Sequence, residues 1–527
     1  MATAYGPSII RDGLVLALDA ANPKSLLTSV EVLVVGGGGA GGGGIGGGGG
    51  GGGVIWMPAV TISPGTGYSI VVGAGGTPVV YPTISGSGGD STAFGATAKG
   101  GGGSGCHDSG DGVAGGSGGG AASNNSRINQ GGASTGNSLG SNSGFIYGNR
   151  GGNMLVARTG GPTAAAGGGG AGAAAADTNS NTVQSSAGNA NGRGGDGILN
   201  SILGTPYYWG GGGGGGGYNN GFAGNGGLGG GGGGSNTVGG TSAGGGSALN
   251  SGSGAGPDTN GAAGGANTGG GGGGGAWQTT SGGAGGSGIV VVRYFGPQRA
   301  TGGTITSVGG YTIHSFTTVG STTFTPNATW SDLSGGNNNA TLVNNPTYTL
   351  SERGYLTFLG TQMASFSAPA LSSNTLEFVF YNTSGTDTYP TLYNQVGQNG
   401  ASGFHWVYGF PSSETINVQY ANGTSPVSMS YSSALPLNTY VHISIVSDLS
   451  AQTITCYRNG VSLGTTSTPG IKPIAASTGY IGTYQNDTSS SSYRLKGRVP
   501  YFKIYNIALT AAQVAQNFNA LRGRYGV

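Results

Sequence analysis

Apolar residues in this chain fall in short strand-like runs near its two ends, with almost no period between them. Leu14 to Leu18 is one such run, and VEVLVV (Val30 to Val35) is another that leads straight into glycine. A β-rich patch follows at Val54 to Met57, Val60 to Ser63 and Tyr68 to Val72, and Pro64-Gly65-Thr66-Gly67 within it predicts a hairpin turn. From Gly73 to Gly288 neither the helical nor the strand period is present. The pattern returns at Ile289 as IVVVRYF, then as a second predicted hairpin, Gly303 to Val308 and Tyr311 to Thr317, around Gly309-Gly310.

From about Thr325 the chain reads as short alternating strands with regular turns. Leu376 to Tyr381, Tyr440 to Ser447 and TITCYRNGVSLGTT (453–466), which turns at Asn459-Gly460, are examples. This spacing predicts an all-β sandwich or jelly roll. One helix is expected at the C-terminal end. Thr510 and Gln513 fit a capping box, and Val514, Phe518 and Leu521 fall on one helical face.

The unpatterned middle is dominated by glycine, of which the chain has 125 in 527 residues. Glycine has no side chain to bury, so this window cannot close around an ordinary apolar core. VEVLVVGGGGAGG formally matches a dinucleotide-binding fingerprint, but that site needs a helix after the glycines, and here glycine continues to Gly53. A flexible linker is a second reading. It leaves unexplained the β patches that bracket the window and the inserts SNSGFIYGNR (141–150), ILNSILGTPYYW (198–209) and AWQTT (276–280). The favoured reading is a bundle of polyproline-II-type glycine helices, three residues per turn, each bonded to its neighbours. Many weak Cα–H···O contacts of about 0.5–1 kcal/mol each would assist. Bulky side chains must then collect at turns or on the outer layer, as the inserts do.

Charge and cysteine content narrow the function. Only 6% of residues are charged and the formal net charge is +2, so no basic stripe awaits nucleic acid. Cys106 and Cys456 have no metal-ligand or disulfide spacing and are expected as free thiols. The first twenty residues lack the layout of a secretory signal, and no run is long enough to span a membrane, so cytosolic synthesis without membrane insertion is expected. His107, His314, His405 and His442 are scattered, and His314 and His442 alternate with apolar residues as structural histidines would. Glu31, Glu352, Glu377 and Glu414 are the glutamates, and no strand-borne pair suggests a glycosidase. Asp19, Asp332 and Asp448 are the candidates for a structural Ca2+, with turn capping the favoured role for Asp19 and Asp332. No other cofactor is expected.

Two resemblances become specific at this point. VEVLVVGGGGAGGGG (30–44), VTISPGTGYSIVVGAGG (60–76), GGSGIVVVRY (285–294) and GGYTIHSFTTVGSTTF (309–324) resemble the glycine-rich domain of bacteriophage tail-fibre adhesins. In that family the YTIHSFT-type hairpin precedes the VEVLVV strand, and here it follows, which looks like a circular permutation. The second resemblance is to laminin-G-like, concanavalin A-like domains of phage virion proteins. It rests on TWSDLSGGNNNATLVNNPTY (329–348), VHISIVSDLSAQTITCYRNGVSLGT (441–465) and LKGRVPYFKIYNIALTAAQVAQNFNALRGRYG (495–526). That family opens with GLVLxLDAANPKS, and here GLVLALDAANPKS is residues 13–25. The expected organisation is therefore an all-β, concanavalin A-like jelly-roll sandwich formed by residues 1–27 and 325–527. Residues 28–324 would be a glycine-rich domain inserted in an early loop, and Leu14 to Leu18 should pair with strands near Tyr501 to Tyr505.

The resemblances imply a non-enzymatic virion protein, a receptor-binding tail fibre or fibre tip that attaches to a host surface glycan or outer-membrane protein. Other virion proteins and further copies of the chain, as a homotrimer, are the remaining implied partners. A capsid-attached decoration or head fibre is the alternative, and a glycan-degrading enzyme on the sandwich a third. The expected receptor contacts are the loop aromatics Phe145, Tyr147, Tyr207, Tyr208, Trp209, Tyr218 and Trp277. Tyr and Trp give large contact area at low entropic cost and pair an apolar ring with a polar tip. The competing role for each is to cover a bundle flank or a subunit interface.

Overall fold

The computed structural model describes residues 8–526 except 108, 160–161, 180–191, 220, 239–240, 278, 352–353, 384–388, 397–403, 411–413, 422–425 and 485–492. The chain forms two compact units. One comprises residues 1–28, 61–66 and 326–527, the other residues 29–60 and 67–325.

The first unit is a sandwich of two 8-stranded antiparallel sheets. Its central strands, Asn374–Asn382, Tyr440–Asp448 and Lys496–Tyr505, are buried almost throughout. They are covered on both faces, which is why their apolar alternation is weak. Phe378, Phe380, Ile443, Phe502 and Ile504 point into the space between the sheets. Val379 and Tyr501 point outward, where they meet Leu521 and Tyr525 of the helix Ala511–Tyr525. That helix starts at the expected capping box, with both Thr510 and Gln513 bonds formed, and ends on a left-handed Gly526. Leu14–Asp19 pairs antiparallel with Lys496–Tyr505, placing Leu14 opposite Tyr505 and Asp19 opposite Tyr501. Asp332 binds the early segment to the later one by accepting from Ala17 N (2.9 Å) as well as Ser334 N and Asn338 N. Asp19 is not a turn cap alone, since it accepts two 2.7 Å bonds from the Arg524 guanidinium.

The second unit has a β base and a glycine bundle. One base sheet runs Thr304–Val308, Tyr311–Phe316, Ile289–Phe295, Ser29–Val35, Val54–Thr61, Phe145–Tyr147 in spatial order. The displaced hairpin thus lies beside Ile289–Phe295, which itself lies beside Ser29–Val35. Its turn matches expectation, with Gly309 and Gly310 both at positive φ. The hairpin expected at Pro64–Gly67 does not form. Val54–Thr61 belongs to the sheet above, whereas Tyr68–Val72 belongs to another and pairs with Gly320–Pro326. The intervening segment instead bonds through Ile62 N to Thr28 O and through Gly65 N to Pro326 O.

The glycine runs are packed polyglycine II helices. Along Gly46 to Gly53, every third amide serves the same neighbour. Gly47, Gly50 and Gly53 donate to Gly105, Gly102 and Lys99, Gly48 and Gly51 to Ala166 and Gly169, and Gly49 and Gly52 to Gly272 and Gly269. A threefold helix sends successive amides in three directions, so this run is held by three others. Eight such residues span about 25 Å at roughly 3.1 Å per residue. A Cβ on Gly213 would lie 2.0 Å from the Gly272 carbonyl oxygen, so alanine has no room there.

Candidate functional site

The glycine runs separate the predicted contact residues into two groups. Gly210 to Gly217 is one polyglycine II run: Gly213 and Gly216 donate to Gly49 and Gly46, and Gly211 and Gly214 to Gly229 and Gly232. Trp209 precedes this run and Tyr218 ends it, so the two lie at opposite ends of the bundle. Trp277 follows Ala276, whose carbonyl accepts from Ile45 N at the turn between the first two runs. Phe145, Tyr147, Tyr207, Tyr208 and Trp209 therefore gather at the sheet end, and Tyr218 and Trp277 at the far end.

At the far end the Tyr218 and Trp277 rings stack with centroids 4.2 Å apart. The Arg158 guanidinium lies 4.6 Å from the Tyr218 centroid and 5.9 Å from that of Trp277. Both rings are half-buried, while Arg158 is buried. The cation–π contacts hold the rings as one rigid plate.

At the sheet end, Phe145–Tyr147 adds an edge strand that sets Phe145 opposite Trp56 and Tyr147 opposite Val54. Phe145 stacks on Trp56 at 5.3 Å and 16°. It is half exposed at 51%, next to Ile146 at 46%. The hairpin Ile198–Asn200 and Tyr207–Trp209 covers the same sheet face. Its Trp209 is 0% exposed in the core with Leu33, Val54 and Val291. The indole is thus a packing residue, not a contact residue, because the strand alternation that half exposes Tyr208 turns Trp209 inward. Tyr207 and Tyr208 stay half-buried.

Between hairpin and sheet lies a pocket of ≈ 330 Å³. Its lining includes Glu31, Trp56, Tyr147, Leu199, Asn200 and Arg293. Glu31 and Arg293 face each other across paired strands. Arg293 donates to Glu31 Oε2 from Nε (2.9 Å) and Nη2 (2.5 Å), and from Nη1 to Ser201 O (3.1 Å). Trp56 Nε1 donates to Glu31 Oε1 at 2.9 Å. Tyr311 covers the guanidinium at 4.7 Å. In sequence Glu31 stood out only as one of four glutamates, and Trp56 and Arg293 did not stand out at all. The available signal was a lone acid and a lone base at facing positions of VEVLVV and IVVVRYF.

The sandwich holds a separate polar cluster. Glu377 is fully buried; Asn517 Nδ2 donates to its Oε2 (2.7 Å), His442 Nε2 lies 3.2 Å from Oε1 and Lys503 Nζ 3.9 Å. Burial pushes the Glu377 carboxyl upward, but Lys503, His442 and Asn517 together hold it below the ordinary value. His314 is also internal, between Tyr294 Oη (3.1 Å) and Gly302 O (2.7 Å), and burial lowers its pKa. Cys106 and Cys456 are both free and buried. Among the described residues no group of three His, Cys, Asp or Glu side chains is placed to hold a metal ion.

Fold and site together define an all-β protein with two units, a concanavalin A-like sandwich and a polyglycine II bundle that holds aromatic clusters at its ends. Residues 19–295, more than half of the chain, match the model of a family described as a glycine-rich domain, and the chain belongs to that family. Residues 355–515 match the concanavalin A-like lectin/glucanases superfamily. No curated protein matches the chain. Among solved structures, the chain is similar to the binding domain of botulinum neurotoxin DC in complex with rat synaptotagmin II (15% identity, 36% of this chain and 48% of that one, TM-score 0.30). It is also similar to a SAP-like pentraxin from Limulus polyphemus (21%, 30% and 78%, 0.26). A third is the Ruminococcus gnavus IT-sialidase CBM40 bound to α2,3-sialyllactose (13%, 28% and 82%, 0.25). The chain spans about half the length of the botulinum neurotoxin binding domain, at 48%.

Proposed function

We propose that this chain is a non-enzymatic, receptor-binding virion protein, a bacteriophage tail fibre or fibre tip that attaches to a glycan or outer-membrane protein of the host surface. The observation that carries the reading is the bundle itself: rigid polyglycine II runs fix aromatic side chains at both ends, with Phe145 half exposed against Trp56, which lines a pocket. Preorganised aromatics bind without a large ordering cost. The motif resemblance to tail-fibre adhesins supports the virion setting and its partners, other virion proteins and two further copies of the chain. The non-enzymatic part is supported by two glutamates, one buried and one lining the pocket. Glu377 is sealed under the helix, and Glu31 is engaged by Trp56 and Arg293, so neither is poised as a proton donor.

Adsorption to host cells tests the reading and separates the two ends. Virions carrying Phe145→Ala with Tyr147→Ala, or Tyr218→Ala with Trp277→Ala, are compared with the parent for adsorption rate. At least one pair lowers the rate tenfold or more. Unchanged adsorption by both pairs overturns the proposal. Antibody labelling of virions in electron microscopy places the chain on the tail; label on the head replaces the tail reading with that of a capsid decoration.

A further inference from the structure

We infer that the pocket between the hairpin Ile198–Asn200 and Tyr207–Trp209 and the base sheet binds one neutral pyranose ring, the terminal sugar of a surface glycan. The inference rests on the adhesin reading and names the ligand of one of its two ends. Size is the first argument. At ≈ 330 Å³ the pocket sits at the small end of the range of about 300–1,000 Å³ for ligand sites. It accommodates a single ring, not an extended peptide.

Charge is the second. All three nitrogens of the Arg293 guanidinium are already donating, to Glu31 and to Ser201 O, and Tyr311 lies over the group. Two of its five N–H groups remain, but Arg293 is the one cation among the lining residues and its charge is matched by Glu31, so a sulfate or carboxylate meets no net positive charge. A carboxylate has about four acceptor positions, and Glu31 uses three, on Trp56 Nε1, Arg293 Nε and Arg293 Nη2. The fourth suits one hydroxyl. Asn200 adds a second polar contact, since its Oδ1 accepts from Ile202 N while its amide nitrogen remains to donate.

The walls are the third. Trp56 and Tyr147 line one side, and Leu199, half exposed at 50%, forms the rim. A pyranose presents C–H groups on its faces and hydroxyls around its edge, so it uses apolar walls and a fixed acceptor together. A purely apolar ligand would bury the ion pair without replacing its water.

Titration calorimetry and saturation-transfer NMR of the full chain test this with the methyl glycosides of glucose, galactose, mannose and N-acetylglucosamine, and with the methyl glycoside of sialic acid. At least one neutral glycoside binds with a Kd of about 1 mM, and the sialoside binds at least tenfold more weakly. Tyr147→Ala weakens binding tenfold or more. Because that wall also packs against the hairpin, Ser201→Trp serves as a second variant: residue 201 is exposed, and the indole fills the mouth and abolishes binding. Tyr218→Ala, at the far end, changes nothing. The inference is overturned if no neutral glycoside binds, if the sialoside binds best, or if Ser201→Trp binds as the parent does. A glycoside that binds, together with virions carrying Ser201→Trp that adsorb normally, upholds the sugar site while removing this end from host attachment.

Discussion

Phe502 in the sandwich and Gly213 in the bundle are both buried, yet almost nothing else about them is shared. Phe502 is held by side chains, at ring centroid distances of 6.2 Å from Phe366 and 5.4 Å from Tyr393, inside an extended apolar cluster. Gly213 is held by backbone. Its amide donates to Gly49 O, and its own carbonyl accepts from Gly168 N. In the sandwich, burial of apolar area supplies the driving force at about 25 cal/mol per Å². In the bundle, close backbone packing and paired amides take that place, and they must outweigh the larger entropy that glycine loses on folding. The lesson is that rigidity does not require an apolar core, but without one a position wedged between neighbouring carbonyls, such as Gly213, tolerates glycine alone.

The largest expected effect tests that intolerance directly. Phe502→Ala removes a ring from the sandwich and destabilises it by about 3–5 kcal/mol. Gly213→Ala adds only one methyl, but it lands on the Gly272 carbonyl, which accepts from Gly49 N and belongs to a run bonded to three neighbours. The loss is expected to exceed about 3 kcal/mol, beyond the usual range for overpacking, because no flexible side chain can move aside. Differential scanning calorimetry reads both, with each substitution lowering the transition of its own unit. A Gly213→Ala chain whose scan matches the parent breaks the contrast between the units.

The sequence carried the two units unequally. In the sandwich the hairpin turning at Asn459-Gly460 and the capping box were legible because each depends on local turn chemistry, whereas the pairing of Leu14–Asp19 with Lys496–Tyr505 was expected only through the laminin-G-like resemblance of GLVLALDAANPKS. In the glycine unit the helix type was legible from composition, but the register of the runs was not, since one glycine looks like the next. The same limit hid the ends. Tyr207-Tyr208-Trp209 and Tyr218 lie close in sequence, and only the intervening straight run shows that they are parted by about 25 Å. The turn at Pro64–Gly67 misled because Pro-Gly signals a change of direction, not the strand that will be met afterwards. Glu31 and Arg293 lie far apart in the chain and become a pair only through sheet pairing.

A second, smaller effect sharpens the contrast from the side of charge. The sandwich buries Lys503, and burial outweighs the opposing pull of Glu377 and Asp19, bringing its pKa down to about 8. Between pH 8 and the ordinary lysine value near 10.5, the unfolded chain keeps a proton that the folded chain has released. Stability from this group therefore rises with pH across that window. Buried tyrosines such as Tyr505 have raised pKa values and oppose the trend only above about pH 10, where unfolded tyrosines ionise. From pH 8 to 9.5 the sandwich should gain about 1–2 kcal/mol relative to Lys503→Met, at roughly 1.4 kcal/mol per pH unit. Thermal midpoints of the two chains at both pH values measure it. Parallel shifts in parent and variant would mean that Lys503 is not the titrating group.

The smallest effect asks where glycine is not required. Gly523 lies within the helix Ala511–Tyr525, and a Cβ there meets nothing within 4 Å. Gly523→Ala should therefore stabilise the sandwich by about 0.5–1 kcal/mol, since alanine loses less backbone entropy in a helix. Gly246 sits in the glycine-rich unit with equally open surroundings and no positive φ. There Gly246→Ala should be neutral or stabilising by up to about 1 kcal/mol, through the unfolded chain. Set beside Gly213→Ala, the Gly246 variant isolates packing from composition. If both substitutions in the glycine-rich unit lower its transition equally, intolerance belongs to glycine content as such; if only Gly213→Ala does, it belongs to the three-neighbour contact, as the carbonyl spacing requires.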